Sequence, residues 1–153
     1  MWLSLSKAIA VGISALVVAT CVPMISEASS NYHDTAYTFN VSATGGSGYV
    51  SSGGRRKLDD SSSYMYCTSY SKTYSQGTGS TYTATAEGST NTTGFHSCSY
   101  NGKKTPSYTF SAGTKKYMTN YIYETSCIYG NIYCSTRYTT YAKFEGKWSP
   151  DSV

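Results

Sequence analysis

From residue 36 onward the chain alternates apolar and polar side chains two by two. Tyr37, Phe39 and Val41 share one parity, as do Tyr64 and Tyr66, and Tyr82, Ala84 and Ala86. Side chains two residues apart share one face of a strand, so this period is a strand signature. The repeating residues are Tyr, Thr, Val, Ile and Phe, which fit a pleated, half-buried surface. Apolar spacing of the helical kind is absent from this region. Charged residues make up 13% of the chain, about half the usual ~25%. Long charged helices and coiled coils are thereby excluded, since they need Leu, Glu and Lys in quantity. The expected fold is all-β: an antiparallel β-sandwich or small barrel of about seven strands.

The predicted strands can be placed along the chain. Ala36 to Ser42 is the first, followed by a loop or weak strand over residues 43–63, rich in Gly, Ser and charge. Tyr64 to Tyr74 follows, with Tyr64, Tyr66, Tyr70 and Tyr74 assigned to one face. Thr81 to Glu87 is next. Phe95 to Tyr100 and Thr105 to Ser111 flank Asn101-Gly102, a pair that accepts positive φ and so marks a hairpin. Lys116 to Ile128 reads as the longest strand. Gly130-Asn131 is taken as a second hairpin turn, returning the chain along Ile132 to Trp148, with a bulge at Gly146. Trp148, ending that strand, is expected to be partly buried.

Residues 1–28 read as a secretory signal peptide. Lys7 precedes an apolar run from Ala8 to Cys21, and Ser26 and Ala28 fit the small-x-small cleavage rule. The expected product is a single secreted domain over residues 29–153. The alternative is membrane anchoring, through an uncleaved signal or a lipidated Cys21.

Of five cysteines, Cys67, Cys98, Cys127 and Cys134 follow the signal. An even number in an exported chain favours two disulfides over free thiols. If Gly130-Asn131 is a two-residue turn, Cys127 faces Cys134 at a spacing suited to a bond. Cys67 is then left with Cys98. His96 and Cys98 share a strand face, but two ligands do not make a metal site.

Catalytic residue types are scarce, with 2 His and 8 acidic residues in all. No Gly-x-Ser-x-Gly elbow exists, and nothing selects a nucleophile to pair with His96. Asp59-Asp60 follows a cation run and reads as solvated charge, while Glu124 reads as an exposed strand residue. Neither an enzyme nor a cofactor is expected. Net charge is +4, dispersed rather than striped, which excludes nucleic acid and favours an anionic wall or membrane surface. The sharpest basic feature is Arg55-Arg56-Lys57, read as a solvated loop tip, with a wall-binding or protease-sensitive surface cluster as the alternative.

The opening Tyr37-Thr38-Phe39-Asn40-Val41 and the closing Phe144-Glu145-Gly146-Lys147-Trp148-Ser149-Pro150-Asp151 resemble a family of short secreted Tyr/Ser/Thr-rich proteins of Gram-positive bacteria, a domain of unknown function. The build is loosely similar to lactococcin-972-type bacteriocins. The resemblance implies secretion and β structure, and no catalytic residue comes with it. The functional expectation is a secreted, non-enzymatic β protein, bacteriocin-like or antagonistic at a cell surface. The alternatives are a carbohydrate-binding or adhesion module, marked by exposed coplanar Tyr on one sheet, and a secreted enzyme or inhibitor.

Overall fold

A computed structural model describes residues 33–42, 45–72, 80–137 and 141–152. The expected signal segment lies outside them. Eleven strands and no helix occur among the described residues. In chain order they are β1 (Thr35–Val41), β2 (Gly46–Tyr49), β3 (Arg55–Arg56), β4 (Ser63–Lys72), β5 (Tyr82–Ser89), β6 (Ser99–Tyr100), β7 (Lys103–Lys104), β8 (Ser107–Phe110), β9 (Lys115–Met118), β10 (Tyr129–Thr136) and β11 (Ala142–Ser149). The first sheet has the order β1-β11-β4-β9. The second has β2-β10-β5-β8, with β3 also paired to β10. Every pairing is antiparallel. The sandwich expectation holds, with more and shorter strands than the alternation alone resolves.

The interior is aromatic. β1 sends Tyr37, Phe39 and Val41 inward, as its alternation predicts. They meet Phe144 and Trp148 of β11 within the first sheet, and Tyr82, Phe110 and Ile132 from the second. Tyr82 is the hub: its ring lies 4.7 Å from Phe144, 5.4 Å from Phe39 and 5.5 Å from Phe110. Such tilted and offset pairs add roughly 0.5–1.5 kcal/mol each beyond the area they bury. A Tyr core must still satisfy its hydroxyls. Tyr37 and Tyr82 do so with each other, Oη to Oη at 2.6 Å across the two sheets. Trp148, expected to be partly buried, is 0% exposed.

One irregularity re-aims a strand. Opposite Glu145 and Gly146 the register of β4 jumps from Ser69 to Cys67, leaving Thr68 as the extra residue of a bulge, its Oγ1 donating to the Glu145 carbonyl at 3.0 Å. The sequence points to a bulge at Gly146, and it is there, but the inserted residue belongs to the facing strand. The parity of β4 flips across it. Tyr64 and Tyr66 face outward, while Tyr70 turns in against Phe144 at 5.0 Å. Tyr70 therefore does not share their face, and Tyr74 lies outside the described residues.

Three further expectations are corrected. Asn101 and Gly102 do form a tight turn, with φ of 50° and 74°, but it joins only β6 to β7. The segment after it pairs with β5. The long strand at 116–128 is only β9; beyond Met118 the chain leaves the sheet, and Asn120 holds Ser61 and Ser63. Gly130-Asn131 is not a turn. It lies inside β10, with Gly130 opposite Gly88 on one side and Arg55 on the other. Gly130 answers crowding instead: a Cβ there would lie 3.2 Å from Ile122 Cδ1.

Candidate functional site

The loss of that hairpin separates Cys127 from Cys134. Cys127 precedes β10 and Cys134 sits near its far end, so about seven extended residues part them by roughly 20 Å. Cys67 and Cys98 are also apart in role. Cys67 on β4 and Cys134 on β10 both project, fully buried, into the space between the sheets. Burial pushes both thiols up, and each sits by the Tyr37–Tyr82 pair. Cys98 instead meets Cys127, Sγ to Sγ at 4.0 Å. His96 completes a trio whose ligand atoms all lie within 4.8 Å of one another. His96 and Cys98 are not on a strand face: His96 makes an isolated bridge to Gly88 and Cys98 lies in the loop before β6. The third member comes from a loop 29 residues on, a proximity the local sequence does not announce.

The basic triplet is divided by the fold. Lys57 is buried, with its ammonium 2.7 Å from Asp151 Oδ1, both side chains at 0% exposure. It also donates to the Ser61 carbonyl and lies 3.6 Å from Asp59. Lys57 is therefore neither a surface-binding group nor a solvated loop tip. A buried charge must be paired, and the acid that pairs it is 94 residues away. Arg55 bonds Thr35 Oγ1 at 2.8 Å and sits 5.7 Å from the Trp148 ring, and burial lowers its guanidinium from the ordinary value. Arg56 is the exposed member, beside Tyr123 and Ile128 on the rim of a 480 Å³ pocket.

The acids are dispersed in the same way. Glu145 sits 2.6 Å from Lys143. Glu87 accepts the Tyr49 hydroxyl at 2.6 Å, within a cluster where the Tyr49 ring lies 5.4 Å from Phe95 and 5.3 Å from Tyr133. Asp59 accepts the Ser61 amide at 2.9 Å. Glu124, read as an exposed strand residue, lies off the sheets and has a buried Oε2 without a hydrogen-bond partner in the structure. His96 is exposed, its Nδ1 3.4 Å from the Gly94 carbonyl. At the end of the second sheet a 630 Å³ groove is lined by Thr81, Thr83, Thr109, Ser135, Thr136 and Arg137 among others, a surface of hydroxyls with one cation.

The outer face of the first sheet differs in chemistry. Tyr64 and Tyr66 of β4 stand beside Tyr117 and Lys115 of β9, with Lys147 of β11 opposite Tyr66. The rings of Tyr64 and Tyr117 are 5.6 Å apart, tilted by 50°. Lys115 Nζ lies 6.0 Å from the Tyr66 ring, and Tyr117 is 59% exposed. The face combines three aromatic rings with two ammonium groups. Its rings share one sheet but are not coplanar.

These features define an antiparallel β-sandwich domain with a Tyr-rich interior and an aromatic, cationic outer face. Residues 24–152 match the family described as protein of unknown function (DUF2712), and the chain belongs to that family. No curated protein and no solved structure matches it.

Proposed function

We propose that the chain is an exported, non-enzymatic binding domain. It acts by contact with an anionic carbohydrate polymer of the cell envelope, through the outer face of the first sheet. The observation that carries this reading is the juxtaposition of Tyr64, Tyr66 and Tyr117 with Lys115 and Lys147. The apolar C–H faces of a sugar ring pack on aromatic side chains that keep a polar tip in water. Two cations beside them attract phosphate or carboxylate groups along the polymer. Of the acids by this face, Glu145 is matched by Lys143 and Asp34 acts on the Tyr64 phenol, so the cationic part of the face is the Tyr66 side, between Lys115 and Lys147. Tilted rings form a corrugated surface, suited to a flexible chain rather than to a flat crystalline polysaccharide.

The test is co-sedimentation of the protein with isolated Gram-positive cell walls, intact or stripped of their anionic polymer. Binding is expected to fall on stripping and with rising salt, since the Debye length shrinks from about 10 Å at 0.1 M to about 3 Å at 1 M. It is expected to fall about tenfold in Tyr66→Ala and in Lys115→Glu. Unchanged binding in both variants would overturn the reading. Killing of the same cells by added protein would instead support the antagonistic role.

A further inference from the structure

We propose that Cys98 and Cys127 form a disulfide that staples the 90–98 loop to the 119–128 segment beneath it. Their Sγ atoms are already 4.0 Å apart, and both residues are buried, at 2% and 6% exposure. Closing the gap to the bonded ~2.05 Å takes rotation of two short side chains and a small backbone adjustment.

The neighbouring strand leaves room for the pair. Gly88 of β5 bridges His96 and pairs with Gly130. A Cβ at Gly88 would lie 2.8 Å from Cys98 Sγ and 2.9 Å from Cys127 Cβ. φ at Gly88 is not positive, so conformational freedom does not call for glycine here. The space taken by the two cysteines does. Neither loop belongs to a sheet between residues 119 and 128 or between 90 and 95, so a covalent tie supplies order that ladder hydrogen bonds do not.

The chemistry is thiol–disulfide exchange during folding. One cysteine, as thiolate, attacks an external low-molecular-weight or enzyme disulfide and releases one thiol. The second thiolate then attacks that mixed disulfide and releases the other thiol. Two protein thiols and one external disulfide become one protein disulfide and two external thiols. Export supplies such an oxidant in the cell, so the occurrence of the bond in vivo rests on the proposed export. Its geometry does not, and refolding in vitro tests that alone.

The purified chain is reduced, refolded with oxidised glutathione, alkylated, and digested with chymotrypsin without reduction. Cleavage after Tyr129 and Tyr133 separates Cys127 from Cys134. A peptide joining Cys98 to Cys127 is expected. A link from either residue to Cys67 or Cys134, or full alkylation of both, would overturn the proposal. So would a zinc or copper ion bound one per chain by the protein isolated from cells and lost in Cys98→Ser, because the His96 trio would then be a metal site. Gly88→Ala should lower the yield of the linked peptide in the refolded fraction. The double variant Cys98→Ala, Cys127→Ala should melt on the order of 10 °C lower in oxidising buffer. That gap should close under reductant. An equal gap in both buffers would show that the cysteines only fill space, and would overturn the bond.

Discussion

At the residue scale, the pair Lys57 and Asp151 shows how far one side chain can reach into the order of the chain. Asp151 is buried and accepts from the Lys57 ammonium at 2.7 Å and from the Leu58 amide at 3.2 Å. It anchors the end of the chain to the segment after β3. Removing one partner of a buried ion pair strands the other charge, at a cost of about 3–5 kcal/mol. Asp151→Ala should therefore lower unfolding free energy by about that amount in urea denaturation. Lys57→Met with Asp151→Leu should recover most of the loss, because replacing both charges by apolar groups is often close to neutral. Sequence reading placed Lys57 with two arginines on a loop tip. Charge type is visible in a sequence, but the acid that buries a charge 94 residues away is not. The same holds for Cys98 and Cys127. Their proximity depends on where two loops cross, which the local sequence does not encode.

At the element scale, the bulge between β4 and β11 decides which tyrosines meet solvent. A Cβ on Gly146 would lie 2.0 Å from the Tyr66 carbonyl oxygen and 2.7 Å from Tyr37 Cε1. The first of these is backbone and cannot swing aside. Gly146→Ala should cost about 3 kcal/mol, at the upper end of overpacking effects, as a lower denaturation midpoint. Because the bulge sets the outward phase of Tyr64 and Tyr66, the same substitution should also weaken binding to cell walls in whatever fraction stays folded. Period two was enough to locate β1, β4 and β5, but the single return strand read over Ile132 to Trp148 is two strands of different sheets, β10 and β11. It could not foresee Thr68, since one inserted residue leaves the alternation intact on each side and reverses its meaning. The Gly130-Asn131 error has a related cause. Gly-Asn is good turn chemistry, yet glycine is equally what a crowded strand needs, and only the neighbours Ile122 and Pro150 tell the two apart.

At the scale of the whole molecule, two sheets meet over a mostly aromatic layer that holds two buried phenols, Tyr37 and Tyr82, which gives stability an alkaline limit. Burial raises the folded-state values of Tyr37 and Tyr82 well above the ordinary Tyr value of about 10. The folded protein keeps both protons where the unfolded chain sheds them. Stability from this source is complete below about pH 10 and falls as pH rises past it, by up to about 1.4 kcal/mol per group per pH unit. Thermal melts from pH 8 to 11.5 should show that limb. The double variant Tyr37→Phe, Tyr82→Phe should lose little at pH 7, since both partners of the hydroxyl pair go together. It should make the fall above about pH 10 shallower, leaving the part that the buried Cys67 and Cys134 thiols contribute from about pH 8.5. Single replacement leaves one hydroxyl unpartnered and should cost more at pH 7.

The order of the first sheet has a consequence for biogenesis. β1 and β4 both pair with β11, so the first strand described and the fourth lack their common neighbour until the last strand, Ala142–Ser149, has been made. Synthesis from the N-terminus thus produces half a sandwich with no centre to its first sheet. A chain ending before Ala142 should show no cooperative melt. If the chain is exported as proposed, β1 and β4 stay without their common neighbour until Ala142–Ser149 is made, a state compatible with a translocation channel for unfolded chains.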